Sequence, residues 1–284
     1  MIKAAPRMVI AGTGSGCGKT TTVCAILQAL KNRGMAPMSF KCGPDYIDPM
    51  FHTSILGLSC ENLDIFFAGE EGVRQAFARH AGEVNVIEGV MGMYDGLSMS
   101  SETSSSYHLA RTLDAPVVLV VNVRGMALSA AAVVKGYMTL RSPNVVQGVI
   151  FNKVSPMTYP SLKQVVEAEC GIPVFGYMPD TPESSLESRH LGLVTAAEVE
   201  ELQAKMQRLG EAAEKCVDLD GLLALMRCIL AFSSSPIDGD GVSALCSAIV
   251  AAIRIGRMLR PPNGNQEAKR PSGSERSAIQ RNGA

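Results

Sequence analysis

Near the N-terminus, Ala11-Gly12-Thr13-Gly14-Ser15-Gly16-Cys17-Gly18-Lys19-Thr20-Thr21 sets glycines, a lysine and hydroxyls in the order that a phosphate cradle requires. A glycine-rich turn between a strand and a helix aims successive backbone N–H groups at phosphate oxygens, and the helix N-terminus adds positive potential. Lys19 then reaches the terminal phosphates and Thr20 offers its hydroxyl to Mg2+. Thr13 occupies the position where such a loop ordinarily has its first glycine, so the loop is a variant.

Two further segments carry charge at strand ends. FKCGPDYIDPMFH (40–52) brings Lys41, Asp45 and Asp48 within eight positions, both signs of charge that a site for phosphate, metal and a carboxylate substrate needs. Gly-Pro-Asp by itself is also ordinary turn chemistry. VIEGVMGMYDG (86–96) opens with Glu88 directly after a buried strand, where nucleotide-binding enzymes keep the carboxylate that organises Mg2+ and its waters. A buried glutamate without a partner is costly, and Lys19, Lys41 or a metal ion would supply one. Glycines around Asp95 mark a tight loop close to substrate.

The elements that must position these groups are legible as periodicity. The runs 8–11, 38–42, 84–90, 116–122, 145–154 and 172–179 read as strands, and 18–33, 70–80, 104–113, 126–140, 159–170 and 195–215 as helices. Strands rich in Val and Ile without strict alternation are buried on both faces, which predicts an α/β fold with a mostly parallel sheet and helices on both sides. Ligands of such sheets gather at the carboxyl ends of the strands, where the loaded segments lie.

The 284 residues, 46% hydrophobic, can bury one substantial core. The balance of 26 basic and 27 acidic residues predicts no nucleic acid partner. Eight scattered cysteines without C-x-x-C spacing read as reduced thiols, and with no signal-peptide pattern the expected location is cytoplasmic. The longest apolar segment, 242–253, falls short of the ~20 residues of a bilayer span, so no membrane partner is expected.

KCGPDYIDPMFH and EGVMGMYDG, with the variant loop, resemble the cobyrinic acid a,c-diamide synthases, members of the dethiobiotin-synthetase-like P-loop enzymes. The resemblance continues through 113–137, GVIFNKV (148–154), GIPVFGYMP (171–179) and SRHLGLVTAAE (188–198), and covers about residues 6–226. It implies a P-loop NTPase-like sheet and ATP- and Mg2+-dependent amidation of the a and c acetates of a corrinoid substrate through an acyl phosphate. On that basis Gly12, Thr13, Gly14, Ser15, Gly16, Cys17, Gly18, Lys19, Thr20 and Thr21 hold the triphosphate. Thr20, Asp45 and Glu88 hold Mg2+, Lys41 stabilises charge on the γ-phosphate, Asp48 and Asp95 face the substrate, and Asn152 contacts adenine. His52 and His190 read as structural hydrogen-bonders, and the serine-rich 98–108 as a cap for the next helix or a cleft lining.

Full-length members of that family carry a second, glutaminase domain, and no Cys/His pair in the C-terminal part of this sequence matches it. The expected organisation is an amidoligase domain over 1–226 and a divergent, partly disordered tail over 227–284, read as a truncated or frame-shifted end or as a subunit fed by a separate glutaminase. The nitrogen source is then ammonia, and a homodimer stays open. Three alternatives remain. One is a family member acting on hydrogenobyrinic acid or nickel sirohydrochlorin, and another is an ATP-binding remnant without turnover. The third, a partitioning-type ATPase, is disfavoured because positions 12–17 contain no lysine.

Overall fold

A computed structural model describes residues 5–180 and 196–232. In chain order the elements are β1 (Arg7–Gly12), α1 (Lys19–Asn32), β2 (Pro37–Cys42), α2 (Ile47–Phe51), β3 (Cys60–Leu63), α3 (Ile65–His80), β4 (Val84–Glu88), α4 (Ser106–Thr112), β5 (Val117–Asn122), α5 (Ser129–Thr139), β6 (Val146–Val154), α6 (Tyr159–Cys170), β7 (Val174–Pro179), α7 (Ala196–Cys216) and α8 (Leu219–Phe232). A π-helical turn over His52–Leu56 follows α2 directly.

The seven strands form one sheet in the order β3-β2-β4-β1-β5-β6-β7, every neighbouring pair parallel. From β1 the chain passes over β4 to β2 and β3, returns to β4, then crosses to β5 on the other side of β1. The sheet's direction of growth thus reverses around β1, which opens a crevice at its carboxyl end.

Strand residues alternate between two cores, and this explains why the sequence shows no polar alternation. Met8, Ile10, Val86 and Val118 meet α1, α7 and α8 through residues such as Leu27, Met206, Leu209 and Met226. Val9, Phe40, Ile87 and Val117 meet the opposite layer through Phe77, Leu109, Val134 and Val166 of α3, α4, α5 and α6. Local chemistry fixes the helix ends. Asp64 accepts from the Phe66 N–H at the start of α3, and Ser105 from the His108 N–H at the start of α4, the capping role open to the serine-rich stretch.

The expected parallel sheet with helices on both faces is the one observed, with three additions. Strand β3 is Cys-Glu-Asn-Leu at the sheet edge, too short and polar to give an apolar run. The α2 segment and its π-turn lie where Pro49 and turn residues mask helical periodicity. Helix α8 is apolar enough to seal the α1 face, and it continues past Met226 to Phe232. His190, most of SRHLGLVTAAE and the tail beyond Phe232 lie outside the described residues. No described helix is long and apolar enough to cross a membrane.

Leu209 of α7 is 1% exposed within the core shared with α1. Its replacement by alanine is expected to cost about 2–5 kcal/mol, read as a lowered urea midpoint with an unchanged slope.

Candidate functional site

Strand register builds the site. Ile10 pairs with Glu88 across β1 and β4, and Lys41 pairs with Glu88 across β2 and β4. Lys41, the last but one residue of β2, and Glu88, the last of β4, therefore stand side by side, next to the loop that leaves β1. Two segments far apart in sequence meet because β4 is inserted between β1 and β2.

The loop after Gly12 wraps the N-terminus of α1. Gly18 caps the helix with φ 102°, a left-handed conformation that glycine adopts without steric cost, and no side chain caps it. The first N–H groups of α1 are left for a ligand. Gly12 must be glycine for space, since a Cβ there would come within 2.3 Å of the Cys17 Sγ. Lys19 folds back, its Nζ donating to the carbonyl oxygens of Gly14 (2.9 Å) and Met91 (2.5 Å). Met91 presents that oxygen from a strained backbone, φ 46°. Ser15 and Gly16 are exposed at the loop tip, whereas Cys17 is buried beneath it.

Lys41 is the electrostatic centre. Its Nζ is paired with Asp48, lies 3.0 Å from Glu88 Oε1, and lies 3.8 Å from Asp45 Oδ2. Burial by itself would push the Lys41 ammonium down, but Glu88 and Asp48 more than offset it and hold its pKa above the ordinary lysine value. Burial raises the Asp48 carboxyl, as does the charge of Glu88, against the pull of Lys41. Thr20 Oγ1 donates to Glu88 Oε1 at 2.5 Å. Glu88 is fully buried, and its Oε2 has no hydrogen-bond partner among the described residues. With all groups ionised, one ammonium against three carboxylates leaves the cluster two charges negative. Thr20 Oγ1 and Glu88 Oε2 are the donors open to a hard divalent cation, which takes few protein ligands where phosphates and waters complete its shell. Among the described residues no group of three His, Cys, Asp or Glu side chains forms a metal cage of its own.

The family described as the CobQ/CobB/MinD/ParA nucleotide binding domain matches residues 8–194, a span holding the loop, Lys41, Glu88 and Asn152. The chain belongs to that family. Among curated relatives, the cobyrinate a,c-diamide synthase of Methanothermobacter thermautotrophicus is 42% identical over 225 residues, 78% of this chain and 50% of that protein. The enzyme of the same name from Clostridium acetobutylicum is 42% identical over 218 residues, 76% of this chain and 50% of that protein. That from Thermoplasma volcanium is 40% identical over 225 residues, 78% of this chain and 49% of that protein. The chain thus spans about half the length of the curated relatives it matches.

Within this nucleotide-binding domain the other singled-out residues fall in three places. Asp45 shapes the segment after β2: its Oδ1 accepts from the N–H groups of Ile47 and Asp48, and its carbonyl accepts from Asn62 Nδ2 at 2.7 Å. Asp95 closes its own turn, its Oδ2 accepting from the Gly92 N–H at 2.8 Å. Asn152 lies buried at the end of β6, where Nδ2 donates to the Cys17 carbonyl at 2.8 Å and Oδ1 accepts from the Lys153 N–H. Beside it a cleft of about 850 Å3 opens past the ends of β5, β6 and β7, walled by Val123, Met126, Val154, Met157 and Leu162 and lined also by Lys153.

Four contributors escape sequence reasoning. The Met91 carbonyl is a backbone group with no side-chain signature. Ser106 of α4 accepts from the Val90 N–H at 2.9 Å and braces the loop after β4. Asn62 sits on the unforeseen strand β3. Tyr137 of α5 donates its hydroxyl to the Thr13 carbonyl at 2.8 Å.

His52 is the structural hydrogen-bonder expected of a histidine in this segment. Fully buried, its Nδ1 lies 2.8 Å from Ser39 Oγ and its Nε2 3.6 Å from Cys24 Sγ, tying the end of α2 to β2 and α1. Burial, only partly opposed by Asp48, lowers its pKa from 6.5 to about 4. Between these two values the unfolded chain holds the proton and the folded one does not, so stability falls as pH falls through that window. The expected contribution lost from pH 7 to pH 4 is on the order of 3 kcal/mol. Urea denaturation at stepped pH checks it, and His52→Gln should remove that part of the acid sensitivity.

Proposed function

We propose that this chain uses MgATP to activate carboxylates of a corrinoid, the a and c acetates of cobyrinic acid, for attack by ammonia. The observation that carries the reading is Lys41 held between Asp48 and Glu88, in register with a Glu88 that itself pairs with Ile10 just before the phosphate loop, and beside an unpartnered buried carboxylate oxygen. A nucleotide site that only binds and switches has no evident need for this second charged segment. The names of the relatives supply the acceptor, and the family supplies the nucleotide.

A carboxylate is a poor electrophile because oxide is a poor leaving group. In the proposed sequence a carboxylate oxygen attacks the γ-phosphorus and the bond to the ADP oxygen breaks, giving an acyl phosphate. Ammonia then attacks the acyl carbon, phosphate leaves with the former carboxylate oxygen, and nitrogen gives up a proton. The chain's part is positioning and neutralisation of charge. The loop N–H groups from Gly14 to Gly18 and the Lys19 ammonium hold the triphosphate, the Thr13 N–H being engaged by the Val120 carbonyl of β5. Lys41 faces the charge that develops on the γ-phosphoryl oxygens. Thr20 and Glu88 hold Mg2+, with Asp45 fixing the segment that carries Asp48. The metal, when bound, neutralises phosphate charge. Asp48 and Asp95 are assigned to the acceptor side, and the adenine to the cleft that follows Asn152 in the chain.

Free ammonia is the assigned donor. Cys24 and His52 adjoin, as a thiol and base for glutamine hydrolysis must, but both are fully buried and burial raises the Cys24 thiol well above its ordinary value. Such a thiol does not meet glutamine, and its burial disfavours the thiolate.

The reading is tested with cobyrinic acid, MgATP and a nitrogen source. Amide is expected with ammonium and absent with glutamine alone; amide from glutamine alone contradicts the assigned donor. Hydrogenobyrinic acid run in parallel separates the two corrinoid acceptors. Glu88→Gln is expected to lower magnesium-dependent turnover by about 10- to 100-fold, and unchanged turnover removes Glu88 from the metal site.

A further inference from the structure

The phosphate loop is held from outside by two side chains that belong to neither the loop nor the charged segments. Tyr137 reaches from α5, 124 residues along the chain, and donates its hydroxyl to the Thr13 carbonyl at 2.8 Å. Asn152 reaches from β6, 135 residues along the chain, and donates Nδ2 to the Cys17 carbonyl at 2.8 Å. These carbonyls lie at the two ends of the loop.

A trans peptide is planar, with its C=O and N–H pointing in opposite directions. Holding the Thr13 oxygen toward α5 therefore turns the Gly14 N–H away from α5. Holding the Cys17 oxygen toward β6 likewise turns the Gly18 N–H away from β6. Glycine peptides are otherwise the ones most free to rotate, so a loop of alternating glycines needs such external restraint to keep its donors convergent before a ligand arrives.

Both side chains are themselves fixed. The ring of Tyr137 stacks on Tyr94, centroids 5.6 Å apart and planes 21° apart, and the Tyr94 hydroxyl donates back to the Tyr137 carbonyl at 2.5 Å. Tyr94 belongs to the loop after β4, which also carries the Met91 carbonyl bound by Lys19. Asn152 is 3% exposed at an irregularity in the β6–β7 pairing, and the next residue, Lys153, takes φ 59°. That bend separates the two side chains: Asn152 goes beneath the loop, and Lys153 lines the cleft. Gly18 completes the fit, since a Cβ there would come within 2.0 Å of Asn152 Nδ2.

We infer that Tyr137 and Asn152 are positioning residues that set the Thr13–Gly14 and Cys17–Gly18 peptide planes and so preorganise the loop for phosphate, whatever base the nucleotide carries. The inference rests on the reading of this loop as a phosphate site. It differs from an adenine-contact role for Asn152, because a strut acts on the phosphates alone.

The probe is inorganic tripolyphosphate with Mg2+, compared with MgATP by calorimetry on the full 284-residue chain. Tyr137→Phe keeps the stack and loses the donor. Asn152→Ala loses the amide, and Asn152→Asp keeps its shape while losing the N–H donor. Each is expected to weaken tripolyphosphate and ATP by the same factor, about 5- to 10-fold, at a temperature where circular dichroism shows the variants folded. Unchanged tripolyphosphate affinity overturns the inference, and a loss confined to ATP in the Asn152 variants assigns that residue to the base instead. If the unsubstituted chain binds neither ligand, the phosphate reading fails and the inference with it.

Discussion

Lys41 stands 6% exposed between Asp48 and Glu88, with Asp45 at 3.8 Å, and the arrangement of the surrounding structure follows from keeping that ammonium buried and paired. An ion pair withdrawn from water recovers its desolvation cost only through close geometry, and removing one partner strands the other at a cost of about 3–5 kcal/mol. Here the sheet supplies the geometry. Lys41 and Glu88 are register partners near the ends of adjacent parallel strands, and the strand pairing holds them close without recourse to a flexible loop. Asp48 is brought in by the short α2 helix, whose far end His52 fastens to β2 and α1. Placing β4 between β1 and β2 is thus what turns three segments separate in sequence into one charged site.

The phosphate loop complements this arrangement. The Lys41 cluster sets three carboxyl groups against one ammonium and holds an unpartnered carboxylate oxygen, whereas the loop offers Lys19 and a helix start that no side chain caps. Thr20 joins the two, since its hydroxyl is on the first turn of α1 and donates to Glu88. In the proposed function a divalent cation would lie against the carboxylate side and the phosphates against the amides. Membership of the nucleotide-binding family agrees with a nucleotide at this loop.

Much of this was legible in the sequence, for a physical reason. Strands buried on both faces leave long Val and Ile runs, and residue types that carry charge at the end of such a run are conspicuous, so the loop, Lys41, Asp48 and Glu88 stood out. Which of them touch was not legible, because strand order is set by packing between helices distant in sequence. Contacts made by backbone oxygen atoms, such as Met91 to Lys19, leave no mark on residue type at all. Tyr137 reads as one more residue on a helix until the fold brings it to Thr13. Asn152 was conspicuous as a polar residue ending a buried strand, but only the geometry reveals its amide under the loop at Cys17. Strand β3 escaped because four residues at a sheet edge, half of them polar, carry no hydrophobic signature.

The central claim is that the Lys41 and Glu88 site passes a phosphoryl group to an acceptor carboxylate, and oxygen tracing tests it most directly. A corrinoid labelled with 18O in its acetate carboxylates is incubated with the chain, MgATP and ammonium, and the released phosphate is read by mass spectrometry. Transfer through an acyl phosphate predicts one labelled oxygen in phosphate for each amide formed. Amide formation accompanied by unlabelled phosphate would contradict the account.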